Sequence, residues 1–426
     1  MSITNSIQIT LQLKDENITF PENHVSEQII NGVKSLVYCG RLSPNTPSSC
    51  PLCGCVNIKH SIYRNGTKSV DIIMPRVSNM KTILRLKKQR FKCKDCDQTF
   101  IAETSITKFN KKISNSTYQA VLLDLKNKVS IKCIAKRHDV SCSTVHQWMS
   151  ELNKNFKINF SSLPDNLSFD EFRSVKNVAG KMSFIYIDSD TGKVLDIVQN
   201  RRKSYLTSYF NQFSYEVRCG VKTICIDMYE PYVQLIKSLF PNAKIVTDRF
   251  HIIQHLNRAL NSTRIFTMNN NKEYYARLKR YWKLMLIDHS LLDYKNFQYF
   301  TGYKQLISQS LIISNLISVD SELESTYWLV QRLKKAISNK NTSEFNKLIN
   351  MKHDGISKQM QTVVKTFRKQ QTYINNALEN KYSNGKLEGT NNLIKVIKRI
   401  AFGYRNFYNF RARILLITNT MVKLEH

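Results

Sequence analysis

Proline and glycine are scarce: 8 and 12 residues in a chain of 426. That excludes a collagen-like repeat and a linker-dominated architecture. No run of about 18 apolar residues occurs, so no membrane span is expected. The apolar cluster around 415–417 is the size of a core segment. The opening stretch, MSITNSIQITLQLKDEN, lacks a basic start followed by an apolar run, so no secretory leader is expected and the cytoplasm is the expected location. Acidic residues are few, 32 Asp and Glu against 64 Lys and Arg, which leaves a net charge of +32. Hydrophobic residues make up 42% and charged residues 23%, as in ordinary globular proteins, which excludes a wholly disordered chain. The length suits two to four domains at roughly 150 residues each.

A chain this basic is matched to a polyanion, because each cation that neutralises a phosphate releases a condensed counterion. The excess is spread out. Residues 56–120 hold 14 basic against 4 acidic residues, 251–380 hold 19 against 9, and 381–426 hold 9 against 2. Several regions would therefore meet phosphate, which fits a large DNA interface better than a single basic arm.

With a reducing compartment expected, the ten cysteines read as metal ligands or buried thiols. Cys50 and Cys53 form one CxxC pair and Cys93 and Cys96 another, with 39 residues between the pairs. Two such knuckles complete a tetrahedral Zn²⁺ site, and strand-like alternation at 71–74 and 83–86 makes the whole a zinc ribbon. Four thiolates leave no open position, so the zinc would be structural. Cys55 is a possible substitute for Cys53, and Cys39 is expected to be buried.

Residues 117–153 read as helices. Tyr118, Val121, Leu122 and Leu125 share one face. A short helix follows with Ser130 as N-cap, Asp139-Val140-Ser141 turns the chain, and a second helix starts at Cys142. This is a helix-turn-helix pattern. Ala135 sits where the helices cross, Val145 and Trp148 point inward, and Ser143, Thr144, His146 and Gln147 are left for a major groove. An ordinary helical hairpin is the alternative.

From 166 the pattern changes to strands at 167–172, 183–188 and 193–198, a helix at 204–213, a strand at 223–227, a helix at 231–240, and a strand at 243–248 leading into a helix. A meander followed by helix-linked parallel strands, with acids at neighbouring strand ends, is the arrangement of the ribonuclease-H-like fold. Such carboxylates can hold two hard cations for phosphoryl transfer. Asp188 and Asp196 read as acids that end strands in solvent, whereas Asp170 and Asp227 stand out as a pair. Glu171 should face away from Asp170. Far downstream, Glu388, Asn391, Asn392, Lys395 and Arg399 form a polar stripe on a helix whose other face carries Leu393, Ile394, Val396, Ile397 and Ile400. A solvated amphipathic face is the alternative there.

The CPLC/CKDC ribbon, the helix-turn-helix, "SFDEF", "IDMYEPY", "FPNAKIVTDRFHI", "NGKLEGTNNLIKVIKRIAFGYRNF" and "NFRARILL" together resemble the ISL-three family of bacterial insertion-sequence transposases, relatives of the Mutator-like group. The likeness spans essentially the whole chain. It implies a DDE transposase with Asp170, Asp227 and Glu388 as the metal-binding acids. It further implies two Mg²⁺ ions, with Mn²⁺ as substitute, and cleavage at terminal inverted repeats followed by strand transfer into target DNA.

In the wider group an Asp-or-Cys-x-x-His motif follows the second acid. Here that is Asp248 to His251, which gives these two residues a supporting role; Asp248 in place of Asp227 as second ligand stays open. Lys395, Lys398, Arg399 and Arg405 would hold phosphates. The implied organisation is an N-terminal segment with the ribbon at 1–112, the helix-turn-helix at 113–160, a first part of the catalytic core at 161–257, an all-helical insertion at 258–380, and a second part of the core at 381–426. Within the insertion, helices are expected at 256–260, 274–286, 303–316, 323–338 and 343–351, with Trp282 and Trp328 read as core residues and base-stacking wedges as the alternative. A homodimer on DNA, associated with the bacterial nucleoid, is expected because two ends must be paired. The competing readings are a non-catalytic DNA-binding regulator derived from a transposase, and a nuclease that cuts without joining.

Overall fold

A computed structural model describes residues 3–421. By internal contacts the described residues form two units: one of 3–156 with 396–404 and 408–421, the other of 157–395 with 405–407.

The first unit opens with α1 (Ile3–Thr10), β1 (Ile18–Thr19), β2 (Val25–Ile30), β3 (Val33–Leu42), β4 (Ile62–Val77), β5 (Met80–Cys93) and β6 (Thr99–Ile101). The six strands make one sheet in the order β1-β3-β5-β4, with β2 on β3 and β6 on β5. Turn chemistry sets its two tight hairpins. Asn31-Gly32 joins β2 to β3 and Ser78-Asn79 joins β4 to β5, and all four residues have positive φ, the backbone of the two-residue turn that matches strand twist. One face carries Ile18, Leu42, Ile62, Ile72, Leu84, Leu86 and Phe91 as core, joined by Cys50 and Cys93. Cys39 is half-buried, not buried as expected, because its strand neighbours Tyr38 and Gly40 hold the inward positions.

Three short helices follow: α2 (Asn115–Asp124), α3 (Ile131–Arg137) and α4 (Cys142–Asn155). Ser114, Ser130 and Ser141 each accept the N–H three residues on, a cap contributing about 1 kcal/mol. Asp139, with φ of 54°, turns the chain between α3 and α4 and pairs with Arg76 at 2.8 Å. Val121, Leu125, Ile134, Ala135, Val145 and Met149 form the small core, with Trp148 only partly buried against it.

The second unit contains β7 (Asn166–Arg173), β8 (Met182–Asp188), β9 (Val194–Val198), α5 (Lys203–Phe210), α6 (Tyr215–Cys219), β10 (Thr223–Ile226), α7 (Glu230–Leu239), β11 (Lys244–Thr247) and α8 (Arg249–Asn270). Its sheet runs β11-β10-β7-β8-β9. The meander β7-β8-β9 is antiparallel, and β10 and β11 run parallel to β7. Short apolar strands such as Thr-Ile-Cys-Ile at β10 are buried on both faces. On one face Phe169 and Phe184 pack against Phe210 of α5 and Phe240 at the end of α7. On the other face Cys225 and Val246 join the core of the helices that follow.

Those helices are α9 (Tyr275–Arg280), α10 (Trp282–Met285), α11 (Gln309–Ile317), α12 (Ser321–Ser338), α13 (Thr342–Asn350), α14 (Lys358–Lys369) and α15 (Gln371–Glu379). The expected all-helical insertion carries an exception, a hairpin of β12 (Gln298–Phe300) and β13 (Gln305–Ile307). It replaces the start of the helix expected at 303–316, because Gly302 and Lys304, the latter with φ of 52°, turn the chain there. Trp282 and Trp328 are 37% and 40% exposed, not core; Trp328 lies on the surface beside His289, ring centroids 4.7 Å apart. The chain closes with α16 (Gly385–Ile400) and α17 (Phe407–Ile417). Along α16 Leu387, Ile394 and Ile397 are buried, but Val396, expected on the apolar face, is 39% exposed.

Within the first unit the C-terminal stretch completes the three-helix module. Leu416 enters its core. Arg413, 2% exposed, donates to the carbonyls of Asn127 and Val129 at 2.9 and 2.7 Å. Arg411 donates to Asn153 Oδ1 at 2.8 Å.

Candidate functional site

Strand register brings three aspartates level. Thr223 pairs with Asn166 and with Lys244; four residues on along each parallel strand come Asp227, Asp170 and Asp248. Asp227 and Asp248 each lie one residue past a strand end, where the chain leaves the sheet and carboxylates can converge. Ligand atoms of Asp227, Asp248 and His251 lie within 4.8 Å of one another. His251, on the first turn of α8, sets Nε2 2.8 Å from Asp227 Oδ1 and 3.9 Å from Asp248 Oδ2. A cavity of about 220 Å³ opens here, lined by Phe169, Asp170, Glu171, Asp227, Met228, Tyr229, Tyr232, His251 and His255.

The electrostatics are those of crowded, partly desolvated acids. Burial, then the neighbouring Asp227 carboxylate, push Asp170 up to about 7. Burial also raises Asp248. The Asp227 carboxylate beside His251 holds that imidazole above its ordinary value, while burial lowers His255.

The start of α16 is tied to the site. Asn391 Nδ2 donates to Asp170 Oδ2 at 2.6 Å. The Asn384 amide N–H donates to Asp248 Oδ1 at 3.3 Å, and its Nδ2 to the Phe169 carbonyl. Asn384 Oδ1 and Asn391 Oδ1 are buried with no hydrogen-bond partner among the described residues, while Asp227 Oδ1 faces His251 Nε2. Unpaired oxygen acceptors beside clustered carboxylates are the donor set a hard divalent cation takes, so the residues fit one. Glu388 is exposed and stands one turn before Asn391 on the same helix.

Glu171 takes the other face of the strand from Asp170, as expected, although both border the cavity. The alternation of the strand survives in its partners, since Glu171 reaches Arg201 and the Tyr232 hydroxyl on α7 while Asp170 reaches α16. Asp196 departs from its expected solvated role. It is 3% exposed and accepts from the Tyr209 hydroxyl at 2.8 Å, because β9 packs under α5. Asp188 instead holds its turn, accepting from Thr191 Oγ1 and the Asp190 N–H. His255 was unread in the sequence, although four residues after His251 it had to share that helix face.

The four expected zinc ligands, Cys50, Cys53, Cys93 and Cys96, have sulfurs within 4.8 Å of one another. The Cys50 N–H donates to the Cys55 carbonyl and the Gly54 N–H to Cys50, which curls the first knuckle. Backbone N–H groups, that of Cys96 foremost, lower the Cys93 thiol to about 6, whereas Cys96 in the same metal-free quartet is pushed up to about 12. These donors fit zinc. Cys55 Sγ lies 3.2 Å from Cys93 Sγ, adjacent to the quartet.

On α4, Ser143, His146 and Gln147 are exposed, but Thr144 is half-buried and engaged with the Ser141 cap at 2.8 Å. Gln147 Nε2 donates to Glu151. Lys395, Arg399 and Arg405 are exposed, and Lys398 lies over the Phe410 ring.

Comparison with known proteins matches two family models. One, described as a transposase of the ISL3 type, matches residues 167–414. The other, "zinc-finger of transposase IS204/IS1001/IS1096/IS1165", matches 46–96. The chain is 35% identical over 122 residues to an "ATP-dependent protease" of Lactococcus lactis subsp. lactis, covering 29% of this chain and only 39% of that protein. It is 22% identical over 343 residues to the "Transposase for insertion sequence element IS1001" of Bordetella parapertussis, covering 78% of this chain and 80% of that one. Among solved structures, the "Drosophila P element transposase strand transfer complex" aligns over 73% of this chain and 92% of that chain, at 11% identity and a TM-score of 0.35. With a family model matched over more than half its length and the ribbon of that family at its N-terminal end, the chain belongs to the ISL3 family of insertion-sequence transposases.

Proposed function

We propose that this chain binds the terminal inverted repeats of its element, cuts DNA at the element end and joins the freed 3′-hydroxyl to target DNA. The observation that carries the reading is the level alignment of Asp170, Asp227 and Asp248 across three adjacent strands, beside the partnerless Oδ1 atoms of Asn384 and Asn391. The strand order, with a meander at one side and two parallel strands at the other, supports a ribonuclease-H-like core.

Asp170 and Asp227, with Glu388 from α16, would hold two Mg²⁺ ions, or Mn²⁺ in their place. When bound, these supply Lewis-acid activation of the attacking oxygen and neutralisation of the leaving one. Asp248 and His251 act as supports: His251 orients Asp227, and Asp248 anchors the turn into α16 through Asn384. Asn391 fixes the Asp170 carboxylate. The capped α3–α4 pair supports a helix-turn-helix that presents Ser143, His146 and Gln147 to the major groove. The ribbon, with zinc on its four cysteines, supports DNA binding as a second module. Lys395, Lys398, Arg399 and Arg405 hold phosphates, and two copies pair the two ends.

Substituting Asn for Asp227 should leave end binding within about twofold and abolish cleavage of a labelled end in Mg²⁺, since one neutralised ligand removes the charge that holds the cation. Cleavage at the normal rate by D227N would overturn the assignment. One observation favours a second reading, a DNA-binding regulator: Glu388 is exposed and is not among the residues that line the cavity. Failure of the unsubstituted chain to cut any end in Mg²⁺ or Mn²⁺, with binding intact, would select it. Cleavage without strand transfer would select a nuclease.

A further inference from the structure

Phe402 is 97% exposed. It is also in the left-handed region, with φ of 52°. Both facts arise at the end of α16. The Phe402 N–H donates to the Arg399 carbonyl at 3.1 Å and the Gly403 N–H to the Lys398 carbonyl at 3.0 Å, the paired bonds of a Schellman cap. In that motif the left-handed position strongly favours glycine, because a Cβ there crowds the following carbonyl. Here glycine follows one residue later and a bulky aromatic takes the strained place. Neither stability nor burial explains it: the ring touches solvent and the backbone carries strain.

The surroundings point to a ligand. From 389 to 410 the sequence has no acid and four cations. Lys398 and Arg399 sit on the last turn of the same helix, with Arg399 exposed. The loop is also anchored behind the ring. Tyr404 packs against the core of the α2–α4 module and lies 5.0 Å from the Phe410 ring. A loop anchored at Tyr404, a protruding phenyl group and flanking cations suit insertion between stacked bases while phosphates are held to either side.

We propose that Phe402 is a wedge that enters a base step of double-stranded DNA and unstacks it. The inference rests on the DNA-binding part of the proposed function and is independent of its catalytic part. The test uses the full chain and duplexes spanning the element's terminal repeat and its flank, with 2-aminopurine placed at successive positions. The expected result is a fluorescence rise at one step with the unsubstituted chain, lost in F402A and kept in F402W. Binding by F402A should weaken about tenfold, the size of one lost base–aromatic contact. F402G should lose the rise too, yet show a Tm equal to or above that of the parent, because glycine suits the cap.

Binding without a rise at any step would overturn the wedge while leaving the DNA-binding reading intact. Absence of binding by the unsubstituted chain would overturn both. A lower Tm for F402G would show that the ring packs within the protein, and would also overturn the proposal.

Discussion

The acids of the site explain one another. Asp170 accepts from Asn391 Nδ2 and from the Glu171 N–H, and its pKa of about 7 says that burial and Asp227 outweigh those bonds. Unfolded, the same carboxyl titrates near pH 4. Between about pH 4 and 7 the folded chain therefore binds more protons, and stability falls as pH rises through that window. His251 acts with the same sign: its contribution is complete below the unfolded value and is lost as pH rises through the higher folded one. For the metal-free chain, D170N should match the parent in Tm near pH 4 and exceed it increasingly towards pH 8. Adding Mg²⁺ at pH 8 should raise the parent's Tm and leave D170N unmoved. A Tm gap that is constant with pH would refute the picture of an uncompensated carboxylate. Asp227 and Asp248 were legible because each closes an apolar strand run, and Asp170 because it interrupts one near its end. The links from α16 were not, because Asn391 stands 221 residues from Asp170 and no local pattern announces its partner.

Helices and strands declared themselves where period and punctuation agreed. Ser130 followed by a short apolar helix, and Asp139 at the turn, were readable because capping and positive φ are local chemistry. The first strands of the N-terminal sheet went unread, although Asn31-Gly32 is a strong hairpin signal, and their burial depends on β5, some fifty residues on. The surface position of Trp282 and Trp328 was illegible, since periodicity gives a face and not the size of what packs against it. The role of α17 was illegible for the same reason. Arg413 bridges two carbonyls of the loop between α2 and α3 from nearly 290 residues away. Replacing it with Ala should leave those carbonyls unmet and cost about 3 kcal/mol, seen as a lower denaturation midpoint with an unchanged m-value. The ribbon offers a second test at this scale. Metal analysis should find one zinc per chain in C55S and none in C53S, because the quartet closes without Cys55. Zinc retained in C53S and lost in C55S would make Cys55 the fourth ligand.

At the scale of the molecule the net charge of +32 admits two accounts that differ in a measurable slope. If the excess is a diffuse solubilising field, removing one cation alters DNA affinity slightly and leaves its salt dependence nearly as it was, since no particular phosphate is lost. If cations are seated on phosphates, each releases a counterion, and the slope of log K against log salt changes by about one for each contact removed. Arg399 and Lys395 are exposed on α16, and Lys395 is already steadied by Asn392 Oδ1 at 3.1 Å, which lowers the entropy lost when it meets a phosphate. Arg413 and Arg411 are committed to internal carbonyl and amide partners, so they cannot serve. R399A and K395A should therefore each flatten the slope by about one, and the double variant by about two. K340A, on an exposed loop of the helical insertion, should lower affinity little and leave the slope unchanged. Equal effects from all three would return the charge to the diffuse account and remove α16 from the DNA interface.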